Sequence, residues 1–244
     1  MRGGGLWQAT KSLCGPIVDV APAWPTIPYP RDWSIGCIAF NQSVLSFLSE
    51  HPNINRVVLG SVYAQYTRNN AAALIKTERD GYVEQIDKRS AIIGQFRETI
   101  ERIQALGKEV VIVGPTPATG FDIGLCYERK ATGAPIFGPN RDCQLSASAA
   151  RDFRAHVDSV LKEVAAKTGV RLVNLADYLC DDAICRTEID GVPLYRDAGH
   201  LSELGSRKVM AKTGVGAAIL GGASSDADSK TDSLVGSRIG VRRE

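Results

Sequence analysis

The stretch that decides the fold is Gly107-Lys-Glu-Val-Val-Ile-Val-Gly-Pro-Thr-Pro117. Its centre, Glu109–Val113, is a short run of β-branched apolar residues, which is typical of a strand buried on both faces of a parallel sheet. Gly107 favours the end of a preceding helix, and the Gly-Pro-Thr-Pro sequence takes the chain out of the sheet. The stretch therefore predicts a unit of helix, strand and loop.

Similar units lie on both sides of this stretch. Helical spacing of apolar residues predicts amphipathic helices over 83–106 and 145–167, and a shorter helix over 38–48. Apolar runs at 56–60 and 171–175 predict two further strands. Alternating helices and strands imply an α/β fold, with a parallel sheet covered by helices on both faces in three αβα layers. Functional groups in such folds collect beyond the carboxyl ends of the strands.

The ends of the chain have a different pattern. Residues 6–10 predict a strand that enters a proline-rich loop over 16–30, and residues 202–220 predict the last helix with Ser202 as its N-cap. Residues 222–244 are small, polar and aperiodic, which predicts a disordered tail. We therefore expect one domain over 1–221.

Composition excludes several classes of protein. Of the 244 residues 44% are apolar, which favours a globular chain over a disordered one. No stretch of about 18 apolar residues occurs, so a membrane span is not expected. The net charge is +2 and basic residues form no stripe, so nucleic acid is not an expected partner.

The six cysteines indicate disulfides rather than a metal site. They lack C-x-x-C spacing and only three histidines accompany them, so we predict no metal site and no cofactor. Chain order favours the local pairs 14–37, 126–143 and 180–185, although other connectivities, or six reduced thiols, remain open. Disulfides imply an oxidising compartment such as a periplasm, yet the N-terminus of this chain has no recognisable export signal.

Asp197 and His200 form the first candidate site. Their spacing in a turn would let the carboxylate accept a hydrogen bond from one imidazole nitrogen, which leaves the other nitrogen free to take a proton from a serine. Gly199 permits the tight backbone that such a turn needs. The alternative reading is an aspartate at a helix start near an unrelated surface histidine.

Five separated segments together resemble a known family, the SGNH hydrolase-like domain attached to membrane acyltransferases of the acyltransferase-3 type. The resemblance runs from about residue 6 to residue 210 and is carried by Cys14-Gly-Pro16, Val57-Val-Leu-Gly-Ser-Val-Tyr-Ala-Gln-Tyr66, the stretch 107–117, Cys180-Asp-Asp-Ala-Ile-Cys185, and Asp197-Ala-Gly-His200-Leu-Ser-Glu-Leu-Gly205. It implies a flavodoxin-like parallel sheet. It also implies transfer of acetyl or other short acyl groups to extracytoplasmic polysaccharides such as the lipopolysaccharide O-antigen, or their deacylation.

By this resemblance His200 is the general base and Asp197 its orienting partner. The family's nucleophile lies in a Gly-Asp-Ser motif at the end of the first strand, and no Gly-Asp-Ser occurs in this sequence. We therefore expect this chain to lack the first strand and to be inactive alone. In full-length relatives, an attached membrane domain or membrane helix would deliver the SGNH domain across the membrane. The alternative is a glycan-binding or assembly module that has lost its serine.

Three further residues are candidates for the oxyanion or substrate pocket. Ser61 follows a predicted strand at the functional edge of the sheet and is also a substitute nucleophile. Tyr63 could cover an acyl or sugar group, or could simply belong to the core. Gly15 could present its backbone N–H to an oxyanion.

Overall fold

The computed structural model describes residues 5–23, 30–67, 73–78, 81–85, 87–138 and 141–221. The predicted tail, 222–244, lies outside the described residues, as does 24–29 of the proline-rich loop. The elements in chain order are β1 (Val20–Ala23), α1 (Pro30–Glu50), β2 (Arg56–Gly60), α2 (Ala64–Thr67), β3 (Ala73–Glu78), β4 (Gly81–Gln85), α3 (Lys88–Ala105), β5 (Glu109–Val113), α4 (Ile123–Thr132), β6 (Leu145–Ser146), α5 (Ala147–Thr168), β7 (Arg171–Val173), α6 (Ala176–Leu179), β8 (Ile184–Cys185), β9 (Glu188–Ile189), β10 (Val192–Pro193), α7 (Glu203–Lys212) and α8 (Val215–Leu220).

A parallel sheet in the order β2-β5-β7 confirms the predicted α/β class. The run of valine and isoleucine in β5 is buried at its centre, because this strand has a partner on each side and helices over both faces. Gly60, Val113 and Val173 end their strands at one level, since Gly60 pairs with Val113 and Val113 with Val173. The carboxyl ends of all three strands therefore meet at one edge.

A second sheet was not predicted from the sequence. Strands β1, β3 and β4 form an antiparallel sheet, in which β3 and β4 make a hairpin. The predicted helix over 83–106 therefore begins late, at Lys88, because residues up to Gln85 pair in this hairpin. Asp87 caps the helix by accepting a hydrogen bond from the Ser90 N–H at 3.1 Å.

Two predictions near the chain ends are wrong in detail. Residues 6–10 form no strand; Leu6 is 92% exposed, and Trp7 packs its ring on Phe47 at the end of α1. The predicted last helix is divided into α7 and α8, because Gly214 has a φ of 78°, which a right-handed helix cannot contain. Ser202 caps α7 as predicted and accepts from the Gly205 N–H at 2.9 Å.

The three disulfides have the predicted pairing. Cys14–Cys37 ties the N-terminal loop to α1, Cys126–Cys143 ties α4 to the segment before β6, and Cys180–Cys185 closes the turn before β8. In each crosslink at least one cysteine lies outside the helices, in a loop or a short bridge. The disulfides therefore fix loops around the sheet.

Two large apolar clusters and a small third one fill the interior of the described residues. The larger joins α1, α3 and α5 to one side of the sheet, with Phe96 and Ile100 completely buried at its centre. The second lies between β5, β7, α4 and α7, and it includes Leu194 and Tyr195 of the segment that leads to the candidate site. The second cluster thus anchors the loop that carries Asp197 and His200.

Candidate functional site

Asp197 and His200 lie in a tight turn between β10 and α7. The Arg196 N–H donates to the His200 carbonyl at 2.8 Å and closes the turn. Asp197 Oδ1 accepts from the backbone N–H groups of Gly199 and His200 at 2.9 and 2.8 Å. An aspartate that bonds the backbone two and three residues ahead is a common way to build such a turn.

The same carboxylate holds the imidazole ring. His200 Nδ1 lies 2.9 Å from both Asp197 Oδ1 and Asp197 Oδ2. The histidine side chain is 64% exposed. The second ring nitrogen, Nε2, is then available to exchange a proton with a substrate or a nucleophile. The sequence-predicted partners are therefore brought together, and their catalytic roles stay a prediction.

Asp197 is an anion throughout the ordinary pH range. Desolvation acts to raise its pKa, but the hydrogen bonds from the backbone N–H groups of Gly199 and His200, and then the His200 ring, outweigh it. Together they lower the pKa of Asp197 from 3.8 to about 2. A permanently ionised carboxylate suits an orienting partner, since it accepts the Nδ1–H of the ring without competing for its proton.

The turn lies over the carboxyl end of β5. Thr116 Oγ1 donates to the Gly199 carbonyl, and Tyr195 Oη donates to the Pro117 carbonyl at 2.9 Å. Burial raises the pKa of Tyr195, which keeps its hydroxyl protonated as a donor. The dyad of Asp197 and His200 therefore occupies the functional edge that α/β topology predicts. Thr116 and Pro117 were missed as site residues, although their position directly after a predicted strand was a usable signal.

Ser61 lies at the same edge of the sheet. It follows the last residue of β2, Gly60, which pairs with Val113 at the end of β5. Its hydroxyl accepts a long hydrogen bond, 3.4 Å, from the Tyr63 N–H. Ser61 is half-buried, and it remains a candidate for the substrate pocket by position.

Tyr63 belongs to the core, which was the second of the two predicted alternatives. The residue is 1% exposed, its hydroxyl donates to the Leu59 carbonyl at 2.9 Å, and its ring stacks on Phe96. Burial raises its pKa, so the hydroxyl stays protonated. The side chain is committed to packing beneath the sheet edge rather than to a substrate.

Gly15 has a structural reason to be glycine. Its N–H donates to Tyr66 Oη at 2.8 Å, and its carbonyl accepts from Asn41 Nδ2 at 2.8 Å. A Cβ at this position would lie 2.7 Å from Tyr66 Cε2. Because the N–H already has an acceptor, this geometry argues against the predicted oxyanion role.

A buried arginine near the sheet edge was not predicted. The Arg154 side chain is 5% exposed, and its Nη2 donates to Asp158 Oδ1 and to Asn174 Oδ1, both at 2.9 Å. Asn174 directly follows β7, so the arginine ties α5 to the carboxyl end of that strand. A charged residue on the otherwise apolar face of α5, in line with Ala150, Val157 and Leu161, was the signal in the sequence.

Metal binding and membrane insertion have no support within the described ranges. Among these residues, no group of three or more His, Cys, Asp or Glu side chains is placed to hold a metal ion. In the same part of the chain, no helix combines the length and the apolar character that crossing a bilayer requires.

Similarity to known proteins bears on the fold and on the family of this chain. A search of curated proteins finds no match. Among solved structures, the periplasmic domain of a lipopolysaccharide acetyltransferase from Salmonella ser. Paratyphi A is similar, with 18% sequence identity and a TM-score of 0.50. The similarity covers 73% of this chain and 62% of that domain, so the chain spans less than two thirds of its length.

At this level of identity the structural likeness supports the fold alone. The sequence profile of the family described as SGNH domain (fused to AT3 domains) matches residues 2–213. That range contains the parallel sheet, the three disulfides and the dyad turn. This chain belongs to the family of SGNH domains that are fused to AT3 domains.

Proposed function

We propose that this chain supplies the general base and its orienting partner for transfer of a short acyl group, such as acetyl, to an extracytoplasmic polysaccharide of the lipopolysaccharide O-antigen kind. His200 is the base and Asp197 is the orienting residue. The observation that carries the proposal is the contact of His200 Nδ1 with both carboxylate oxygens at 2.9 Å, at the functional edge of the sheet.

The reaction exchanges one ester bond for another. A serine oxygen attacks the carbonyl carbon of the acyl donor, and the serine proton passes to His200 Nε2. The imidazolium then gives this proton to the leaving group, and an acyl-serine remains. In the second half a sugar hydroxyl attacks the acyl-serine, its proton passes through Nε2, and the serine leaves with that proton. Water in place of the sugar gives deacylation.

The nucleophilic serine is not supplied by a Gly-Asp-Ser motif in this sequence. We infer that the serine lies on an additional strand that pairs with β2. Within the described residues, β2 has β5 as its only partner, and Val58 on β2 is 46% exposed. A parallel strand beside β2 would end next to Ser61, at the edge where the dyad lies.

Without that serine the chain should be inactive alone. Removing the nucleophile from a Ser-His-Asp triad lowers turnover by about 10⁶-fold, because the remaining groups bind and polarise the substrate but form no acyl-enzyme. Ser61 is the alternative nucleophile at this edge.

The disulfides and the family support the proposed compartment and partner. Three disulfides persist in an oxidising compartment, which supports a periplasmic or other extracytoplasmic location. The family description supports a membrane acyltransferase domain as the partner that provides the acyl group. Tethering to the membrane through that domain is part of the proposal.

A burst assay tests the proposal. Incubation of the purified chain with p-nitrophenyl acetate should give no burst of nitrophenol. A protein that also carries the Gly-Asp-Ser strand should transfer acetyl, and His200→Ala in it should lower turnover by about 10⁶-fold, since triad members act as a unit. His156→Ala, on α5, is the matched control and should leave turnover unchanged.

Two outcomes would contradict it. A burst from the chain alone that Ser61→Ala abolishes would make Ser61 the nucleophile and remove the need for another strand. Unchanged turnover in His200→Ala would remove the base. The second candidate function, a glycan-binding module, is favoured by the missing Gly-Asp-Ser motif; it predicts polysaccharide binding by the chain and no transfer even when that strand is present.

A further inference from the structure

Helix α4 touches the dyad turn at a position that has room for no side chain. Gly124 lies in the first turn of α4, and a Cβ built there would be 2.0 Å from the Arg196 carbonyl oxygen and 2.8 Å from the Asp197 nitrogen. Cβ atoms essentially never approach other atoms more closely than 3.0 Å. The two backbones are therefore in direct contact, and the atoms that meet Gly124 belong to the peptide that leads into Asp197.

The residues that precede Gly124 in the chain are also held in place. Asp122 is the N-cap and accepts from the Leu125 N–H at 2.9 Å. Earlier in the chain, the Thr116 hydroxyl donates to the Gly199 carbonyl, and the Pro117 carbonyl accepts from the Tyr195 hydroxyl. Residues on both sides of Asp197 are thus held by the segment that runs from the end of β5 into α4.

A covalent bond holds the same helix from its other side. Cys126, two residues after Gly124, is bonded to Cys143. Cys143 precedes β6, whose Leu145 pairs with Cys185 of β8. The disulfide therefore anchors α4, two residues from the Gly124 contact, to the small sheet of β6 and β8.

We propose that Gly124 is a positioning residue: the absence of a side chain lets α4 seat against the peptide between Arg196 and Asp197, and this contact sets Asp197 where its carboxylate binds the His200 ring. The inference deepens the proposed function, because positioning matters for catalysis only if the dyad is the base. Gly124 touches backbone of the turn and no reacting atom.

Nuclear magnetic resonance of the dyad tests this without an acyl donor. In the native chain, neutral His200 should carry its proton on Nδ1, because Asp197 accepts from that atom. The ¹³C signal of the Asp197 carboxylate should titrate at about 2. In Gly124→Ala the Nδ1–H signal should be lost or broadened, and the Asp197 midpoint should move from about 2 toward 3.8, since its hydrogen-bond donors are displaced.

Gly94→Ala is the matched control. Gly94 also lies inside a helix, α3, and a Cβ there would meet no other segment of the chain within 4 Å. This variant should keep the native Nδ1–H signal and the native Asp197 midpoint. A folded Gly124→Ala protein with both native signals would overturn the inference.

A second variant covers the case in which Gly124→Ala does not fold. Cys126→Ser with Cys143→Ser releases α4 without adding an atom at the contact, and it should broaden the Nδ1–H signal and raise the Asp197 midpoint. Cys14→Ser with Cys37→Ser removes a disulfide of the N-terminal loop and should change neither. Native signals in the first double variant would overturn the inference. These measurements report the geometry of the dyad and not activity. A protein that also carries the Gly-Asp-Ser strand, has a native dyad and still transfers no acetyl group would instead count against the proposed function.

Discussion

Two valines that face each other in the parallel sheet have opposite surroundings. Val58 of β2 and Val111 of β5 pair in register, yet Val58 is 46% exposed and Val111 is 0% exposed. Val111 is covered by α4 and by the cluster beneath the dyad turn, whereas the described residues cover Val58 only in part. We call the half of the sheet beside the Asp197–His200 turn the completed half, and the half beside Ser61 the open half, because the described residues cover the first fully and the second only in part.

The largest loss of stability in the completed half is expected from a substitution at Gly205. A Cβ at this position of α7 would lie 2.1 Å from the Leu194 carbonyl oxygen. Gly205→Ala should therefore lower the free energy of unfolding by about 3 kcal/mol, at the upper end of the overpacking range, because two backbones would have to move apart. Thermal unfolding followed by circular dichroism measures the change. Gly94→Ala should be neutral or slightly stabilising, and equal losses in the two variants would contradict the close contact.

Substitutions at Val58 and Val111 test the comparison with a smaller expected change in stability. Val111→Thr should cost about 1–3 kcal/mol, because it buries a hydroxyl in an apolar cluster, whereas Val58→Thr should stay within about 0.5 kcal/mol. Urea unfolding of the two variants gives both values. In a protein that carries the proposed additional strand beside β2, Val58→Thr should become costly. A large cost for Val58→Thr in this chain alone would show that the open half is covered after all.

The smallest expected effect is an acid dependence at the dyad. The folded pKa of Asp197, about 2, lies below the ordinary value of 3.8. Its carboxylate therefore stabilises the fold fully above 3.8, and this contribution is lost as the pH falls toward 2. The melting temperature should drop less between about pH 5 and about pH 2.5 in Asp197→Asn than in the native chain. Identical drops would show that the hydrogen bonds to Asp197 do not form.

Much of the candidate site could be read from the sequence because its causes are local. Asp197 and His200 lie three residues apart, so one turn is enough to join them, and Ser202 caps the helix that follows. The pairing of the cysteines was also local in the chain. The roles of Gly15 and Tyr63 could not be read in this way, because the residue type alone does not tell whether a residue faces a substrate or packs in the core.

The sequence by itself determined the elements whose signals repeat within one segment: the strands at β2 and β5, the long helix α5, and the dyad turn. Only the tertiary structure decided that residues 81–85 pair in a hairpin, that the Gly15 N–H is taken by Tyr66, and that Gly124 meets the Arg196 carbonyl. Apolar periodicity and capping depend on neighbours within a few residues, and so they are visible in a single segment. A close approach between backbones depends on where distant segments are packed, and no local pattern records it.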